Sequence, residues 1–300
     1  MNKSLKIGLA LFLIGLGVVL SVNIATKGEL FDVNEGEFEL HEESYTKEQF
    51  ESFTFDFDNR DIYVLPSEEE NISIKFYVNE KEDFEYNDET DELSITIDYQ
   101  WQRNIFSFSF PKNRTYYKVY LYVPASFFAY NFDFTSKNGY IKVEDILLLG
   151  DVDLKTSNGD LEITNSSVNQ ISMNTSNGKL NLANISVTGD LEGRTSNGRV
   201  NATNIEASKI ELRTSNGRII AEDLNSKYIK LNTSNGEIDS TVIGNKDDFH
   251  VRIHTSNGSR YYDGIKVAQS DFNTSKVDYV ELTSSNGNVT LNFKDWKNFL

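Results

Sequence analysis

The sequence predicts an all-β protein whose main part is a β-solenoid, similar to a parallel β-helix, with about 20 residues per coil. A Thr-Ser-Asn-Gly motif or a close variant recurs along the second half of the chain, apolar and polar residues alternate on both sides of it, and all three prolines precede the regular array. The glycines of the motif are Gly139, Gly159, Gly178, Gly198, Gly217, Gly236, Gly258 and Gly287. Their spacing of 20, 19, 20, 19, 19, 22 and 29 residues is typical of repeats that bury their apolar faces against one another.

The first element is a predicted transmembrane anchor over residues 1–28. After Lys3 and Lys6 the sequence is uncharged from Ile7 to Thr26, and a helix of that length, ~30 Å, spans one hydrocarbon core. The two lysines place the N-terminus in the cytoplasm and the bulk of the protein outside the cell membrane. The alternative is a cleaved signal peptide, which would leave a secreted protein.

Residues 29–130 are predicted to form an acidic, irregular β region of larger coils. Between Glu29 and Gln100 there are 24 acidic and 4 basic residues, and the whole protein has a net charge of −17. Because such a surface repels phosphates, nucleic acid is not expected as a partner. The segments FTFDFD, NISIKFYV, LSITIDYQW and YYKVYLYVP alternate as half-buried strands do. DFDNRDIYV resembles a degenerate copy of the repeated motif.

Residues 131–300 are predicted to form the repeat solenoid and its C-terminal cap. Each unit has two short strands, and the motif is expected to form the corner between them, with Asn-Gly supplying positive φ angles. A meander of β-hairpins is the alternative, but the near-constant spacing favours stacked coils. The stretched last intervals and LNFKDWKNFL suggest the cap. The predicted corner residues are Asn158, Gly159, Asn177, Gly178, Asn197, Gly198, Asn216, Gly217, Asn235, Gly236, Asn257 and Gly258.

The composition excludes several kinds of site. Without cysteine, the protein has no disulfide framework, thiolate metal site or cysteine nucleophile. The sequence contains no Gly-x-Ser-x-Gly, His-Glu-x-x-His or phosphate-binding glycine loop. Its acidic clusters lack the glycine and ligand spacing of calcium loops. We therefore predict that the protein is not an enzyme and that it has no cofactor and no metal site.

Several of these features together resemble a known family. An exported β-rich region, the strand YLYVP and tandem TSNG-x-hydrophobic-x units resemble the bacterial family of putative adhesins of unknown function. With its single N-terminal membrane segment, the protein is similar to the LiaG-type envelope proteins. The resemblance covers roughly residues 50–295, and it implies a solenoid at the cell surface with no catalytic motif. The sequence departs from the repeat at Ser259-Arg260-Tyr261-Tyr262, where Arg260 replaces the usual apolar residue.

Basic residues flank the corners on both sides and form the first candidate binding surface. They are Lys155, Lys179, Arg194, Arg199, Arg213 and Arg218. Stacking in register would bring like charges together, which is unfavourable unless something neutralises them. An anionic polymer such as a wall glycopolymer, or phospholipid headgroups, could supply the charge. The alternative is internal pairing with Glu192 and Glu211 on the same outward face.

Tyrosines at the end of the acidic region form the second candidate surface. Tyr116, Tyr120 and Tyr122 have one parity, and Val119 and Leu121 have the other. If the tyrosine face is exposed, it is an aromatic strip that could bind sugars or a protein partner. If a neighbouring segment covers it, these residues belong to the core.

These features predict a non-catalytic, membrane-anchored binding or scaffold module at the bacterial cell envelope, adhesin-like or accessory to envelope stress. Its partners would be the membrane, an anionic cell-wall polymer or another envelope protein. A self-assembling structural solenoid is one alternative, because unprotected solenoid ends can stack. A polysaccharide-cleaving β-helix enzyme is the other.

Overall fold

The computed structural model describes residues 37–46, 48–99, 114–124 and 130–295. Within these residues no helix is long and apolar enough to cross a membrane. The predicted anchor over residues 1–28 lies outside them, as does the end of the predicted cap, residues 296–300.

Most of the described residues belong to strands, and these strands form two long sheets. Two short 3-10 turns, Arg114–Tyr117 and Lys246–Asp248, interrupt the strands. The strands are β1 (Phe38–Tyr45), β2 (Ser52–Phe57), β3 (Asp61–Ser67), β4 (Ile72–Asn79), β5 (Glu82–Asn87), β6 (Glu92–Tyr99), β7 (Lys118–Pro124), β8 (Asn131–Ser136), β9 (Ile141–Glu144), β10 (Asp151–Thr156), β11 (Leu161–Val168), β12 (Gln170–Thr175), β13 (Leu180–Val187), β14 (Asp190–Thr195), β15 (Val200–Glu206), β16 (Lys209–Arg213), β17 (Ile219–Asn225), β18 (Tyr228–Thr233), β19 (Ile238–Ile243), β20 (Phe249–Thr255), β21 (Arg260–Tyr262), β22 (Ile265–Val267), β23 (Asp271–Phe272), β24 (Asp278–Ser284) and β25 (Val289–Lys294).

Each repeat contributes one strand to each sheet and so forms one rung of a solenoid. Sheet I has 12 strands in the order β23-β20-β24-β18-β16-β14-β12-β10-β8-β2-β6-β5, and sheet II has 13 in the order β1-β4-β7-β3-β9-β11-β13-β15-β17-β19-β25-β21-β22. Successive repeats pair in parallel and in register, as Ile171 does with Leu191 and Leu191 with Ile210. Parallel pairing excludes the hairpin meander, whose consecutive strands would be antiparallel.

The core lies between the two sheets. The residues that alternate inward on each strand, such as Val152 and Leu154, are almost completely buried. Phe53, Phe55 and Phe134 fill the first rungs, and smaller Ile, Leu, Val and Ala side chains fill the later ones. One continuous core therefore runs through the acidic region and the regular repeats.

At both ends the order of the rungs in space differs from their order in sequence. The rung of β2 and β3 lies between the rung of β6 and β7 and that of β8 and β9. At the other end, β24 and β25 lie between the rung of β18 and β19 and the rung of β20 and β21. The segment that the sequence suggested as a cap therefore begins inside the stack, because LNFK of β25 pairs with β19 and β21.

Antiparallel strands cover both ends of the stack. At the N-terminal end, β5 pairs antiparallel with β6, and β4 with β7. At the C-terminal end, β22 pairs antiparallel with β21, and β23 pairs with two residues of β20. These strands interrupt the parallel repeat, so a second solenoid cannot simply continue the ladder at these edges.

Candidate functional site

The Thr-Ser-Asn-Gly corner is held by the buried hydroxyl of its first residue. In the rung of Thr214 the Gly217 N–H donates to Thr214 Oγ1 at 3.0 Å, and the same hydroxyl donates to the Gly198 carbonyl of the preceding rung at 3.0 Å. The other corners repeat this pattern, with Ser136 and Ser284 replacing Thr at two of them. Since Thr214 is fully buried, both backbone groups depend on this one hydroxyl.

The corner glycines are required by close stacking of the rungs, and the predicted positive φ is wrong. Among the described residues, left-handed φ occurs in glycine at Gly244 and Gly264, and at none of the eight corner glycines. A Cβ on Gly217 would lie 1.8 Å from the Gly198 carbonyl oxygen, and one on Gly198 would lie 1.7 Å from that of Gly178. The backbones of neighbouring rungs therefore approach too closely for any side chain at this position.

The corner asparagines form a continuous ladder of side-chain hydrogen bonds, which we call the asparagine ridge. Except at Asn59, which only accepts, each Nδ2 donates to the Oδ1 of the neighbouring asparagine at 2.6–2.8 Å. In stacking order the ridge consists of Asn59, Asn138, Asn158, Asn177, Asn197, Asn216, Asn235, Asn286 and Asn257. Asn59 confirms that DFDNRD is a degenerate corner, and Asn257, on the outermost rung, ends the ridge.

Left-handed residues form a second column, which the sequence analysis missed. Six residues after the corner glycine, the strand of sheet II bends at an Asn or Asp whose φ lies between 50° and 56°. The column consists of Asp145, Asn165, Asn184, Asn204 and Asp223. Asn and Asp tolerate this conformation better than other non-glycine residues. Their spacing of 19 or 20 residues is visible in the sequence, but their difference in residue type obscures it.

Three basic residues before the corner lie on the outer face of sheet I, and two of them are paired. Lys155 contacts Asp153 at 2.6 Å and Asp133 at 3.5 Å, and the hydrogen bond with Asp153 raises the pKa of Lys155. Arg194 contacts Glu192 at 3.0 Å.

Arg213 is the third of these residues. It lies directly beside Arg194 in the parallel register. The predicted partner Glu211 binds Lys209 instead, at 3.0 Å. Arg213 is exposed, and it forms no ion pair with any described residue.

Three basic residues after the corner occupy consecutive rungs on the other flank of the ridge. Backbone hydrogen bonds of 3.0 Å from Leu180 N to the Arg199 carbonyl, and from Val200 N to the Arg218 carbonyl, fix their adjacency. Arg218 contacts Asp239 at 3.2 Å and Glu237 at 3.7 Å. Lys179 and Arg199 are exposed and form no ion pair within the described residues.

The sequence of this chain matches a known protein family. A family described as Toastrack DUF4097 matches residues 50–292. The chain belongs to this Toastrack family. A comparison with curated proteins found no match.

Several solved structures are similar to this Toastrack protein at low identity. A "putative adhesin" from Bacteroides fragilis is 14% identical, with 85% of this chain and 97% of that one covered and a TM-score of 0.45. A second, from Parabacteroides merdae, is 13% identical, with 86% and 98% covered and a TM-score of 0.43. A "putative lipid binding protein" from Parabacteroides distasonis is 12% identical, with 86% and 97% covered and a TM-score of 0.35. Similarity this distant transfers no ligand or activity to this protein.

Of the three predicted aromatic surface residues of this Toastrack protein, two lie on β7 and one lies just before it. Tyr116 precedes β7 and packs on Phe38, with ring centroids 4.5 Å apart. Tyr120 and Tyr122 lie on the outer face of sheet II, where Tyr120 stacks on Tyr63 at 5.2 Å. All three tyrosines are half-buried. Their burial is therefore intermediate between the exposed strip and the covered core that the sequence left open.

A concave groove lies along the edge of the coil opposite the asparagine ridge. Its volume is about 1130 Å³. One wall contains Asn245 and Asp248, where the backbone passes from β19 to β20 across the inserted rung. Within the part of the protein that the structure describes, no group of three or more His, Cys, Asp or Glu side chains is arranged to hold a metal ion.

Proposed function

We propose that this protein is a non-catalytic binding module of the bacterial cell envelope that holds a phosphate-containing anionic polymer along its asparagine ridge. Residues 1–28 would anchor it in the cell membrane with the N-terminus in the cytoplasm. A LiaG-like role in envelope stress fits the same arrangement. Membership of the Toastrack family and the uncharged N-terminal segment support this proposal.

One observation carries the proposal: Lys179, Arg199 and Arg213 are exposed cations on three adjacent rungs and form no ion pair with any described residue. They lie on both flanks of the asparagine ridge, whose own side chains are neutral. Neighbouring rungs are separated by ~4.8 Å, so the three charges repel one another in the free protein. An anionic polymer lying across these rungs would remove that repulsion.

The chemistry of the ridge favours phosphate. Arginine binds phosphate through two parallel N–H groups, and exposed amide side chains beside it can donate or accept further hydrogen bonds. The negative charge of the protein is concentrated between Glu29 and Gln100, so an anionic ligand would be attracted only locally, at the ridge. We therefore expect binding that weakens steeply with added salt.

The test compares two triple variants with the same change in charge. Lys179→Gln, Arg199→Gln and Arg213→Gln remove the unpaired cations. The matched control, Lys155→Gln, Arg194→Gln and Arg218→Gln, removes the ion-paired ones. The full-length protein in neutral detergent micelles is titrated with poly(glycerol phosphate). We expect the first variant to lose more than about tenfold in affinity, because hydrogen bonds to charged groups are the stronger class.

A second arm separates the two possible sources of phosphate. In it, phosphatidylglycerol is added to the micelles in place of the polymer. Binding to the lipid without binding to the polymer would assign the ridge to a membrane surface. Equal losses in both triple variants, or no binding to either probe, would contradict the proposed site.

A further inference from the structure

The eight Asn-Gly pairs of this protein are chemically reactive sequences. In Asn-Gly, the glycine nitrogen can attack the asparagine Cγ, because glycine has no side chain to hinder the approach. The new N–C bond closes a succinimide, the bond between Cγ and Nδ2 breaks, and ammonia leaves with the proton from the glycine N–H. Water then opens the ring to aspartate or isoaspartate, so that the net change is NH₂ replaced by OH. No other reagent is needed.

The corner protects most of these pairs in two ways. The glycine N–H, which must lose its proton, donates to the buried Thr or Ser hydroxyl at 2.9–3.1 Å in every corner. The asparagine carboxamide, which must rotate toward that nitrogen, is held on both sides by its neighbours in the ridge. Asn216, for example, donates to Asn197 and accepts from Asn235, both at 2.7 Å.

The outermost corner lacks half of this protection. Asn257 donates to Asn286 at 2.8 Å, but its Oδ1 receives no hydrogen bond from the described residues. Gly258 is exposed, whereas Gly217 and most other corner glycines are buried. The covering strands β22 and β23 pair with residues 260–262 and 251–252, so neither pairs with the corner between them.

We infer that Asn257 is a spontaneous modification site, converted through a succinimide to aspartate or isoaspartate ahead of the other seven Asn-Gly pairs. Rotation of its carboxamide breaks one ridge hydrogen bond, whereas rotation at an inner rung breaks two. Isoaspartate adds a backbone methylene at the corner, and either product removes the amide that donates to Asn286. The change therefore detaches the terminal rung from the ridge.

The experiment follows all eight pairs within one molecule. The full-length protein is incubated at mildly alkaline pH, and peptide mapping by mass spectrometry measures the fraction converted at each pair. We expect Asn257 to react roughly tenfold faster than Asn216, because the carboxamide of Asn216 must break one more hydrogen bond before it can rotate. In concentrated urea the two rates should become similar. Equal rates in the folded protein, or faster conversion at an inner pair, would overturn the inference.

A matched pair of variants tests the protective hydroxyl separately. Thr255→Val removes the hydroxyl that accepts a hydrogen bond from the Gly258 N–H at 3.0 Å. Thr255→Ser retains that hydroxyl. We expect several-fold faster conversion of Asn257 in the Val variant than in the Ser variant, and unchanged conversion at Asn177. If the two variants react at the same rate, the glycine hydrogen bond gives no protection and the proposed mechanism is wrong.

Discussion

The first corner of the solenoid differs from the eight that follow it at the position of the glycine. Arg60 in Asp58-Asn59-Arg60 occupies the position of the glycine in Ser-Asn-Gly, and its carbonyl accepts from Ser136 Oγ at 2.8 Å. A Cβ on each later glycine would collide with the rung before it, as Gly139 would with the Arg60 carbonyl at 1.7 Å. At the first corner the side chain of Arg60 is accommodated between Glu82 and the Tyr116 carbonyl. The neighbouring rung, and not the turn itself, therefore requires glycine.

The long side chain of Arg60 closes the N-terminal end of the glycine column. It forms a buried ion pair with Glu82, and its Nη1 donates to the Tyr116 carbonyl at 2.6 Å. Burial lowers the pKa of Arg60, and the charge of Glu82 opposes that shift. This arrangement, together with the antiparallel strands at both ends, argues against the self-assembling solenoid.

The largest expected effect comes from placing a side chain at an inner corner. Gly217→Ala puts a Cβ 1.8 Å from a backbone oxygen that cannot move without separating the rungs. We expect a loss of more than about 4 kcal/mol in the free energy of unfolding, an exceptional value for one methyl group. Urea denaturation measures it, with Ser215→Ala as a control that should change stability by less than about 0.5 kcal/mol. Similar unfolding midpoints would refute the stacking argument.

The second largest loss of stability is expected from replacing Arg60 at the first corner. Arg60→Met leaves the nearly buried carboxylate of Glu82 without its partner, which should cost about 3 kcal/mol or more. Adding Glu82→Gln removes the unpaired charge and retains an acceptor for the Asn79 N–H, now bound at 2.9 Å. The double variant should recover at least half of the loss in urea unfolding. If it recovers nothing, Arg60 stabilises the corner through packing and not through charge.

Sequence reasoning predicts the features that depend on local pattern and misses those that depend on pairing through space. The corners, the two strands per rung and the inward residues follow from alternation and period. The rung inversion does not, because the long interval before β24 is equally compatible with a cap. The sequence predicts the pairing of Arg194 with Glu192, but it cannot show that Glu211 binds Lys209 and leaves Arg213 free of an ion pair within the described residues. Positive φ is predicted at the wrong column because Asn-Gly is a common turn sequence.

A smaller effect is expected from the buried corner hydroxyl. Thr214→Val keeps the shape of the side chain but leaves the Gly217 N–H and the Gly198 carbonyl without their partner. The expected loss is about 2 kcal/mol. Thr214→Ser should cost less, because Ser136 and Ser284 fill this position in two natural corners. Urea unfolding of the two variants measures the difference, and equal losses would show that the methyl group matters more than the hydroxyl.

The smallest effect distinguishes the asparagine ridge from the column of left-handed residues. The difference in stability between a Gly variant and an Ala variant should have opposite signs in the two columns. Asn204 has a φ of 55°, so Asn204→Gly should be more stable than Asn204→Ala by about 1 kcal/mol. Asn197, in the ridge, is not among the residues with positive φ. Both substitutions there break the hydrogen bonds to Asn177 and Asn216, and glycine adds a cost in backbone entropy of roughly 0.5–1 kcal/mol. Asn197→Gly should therefore be less stable than Asn197→Ala in thermal unfolding. The same order at both positions would mean that one of the two columns has been assigned the wrong backbone conformation.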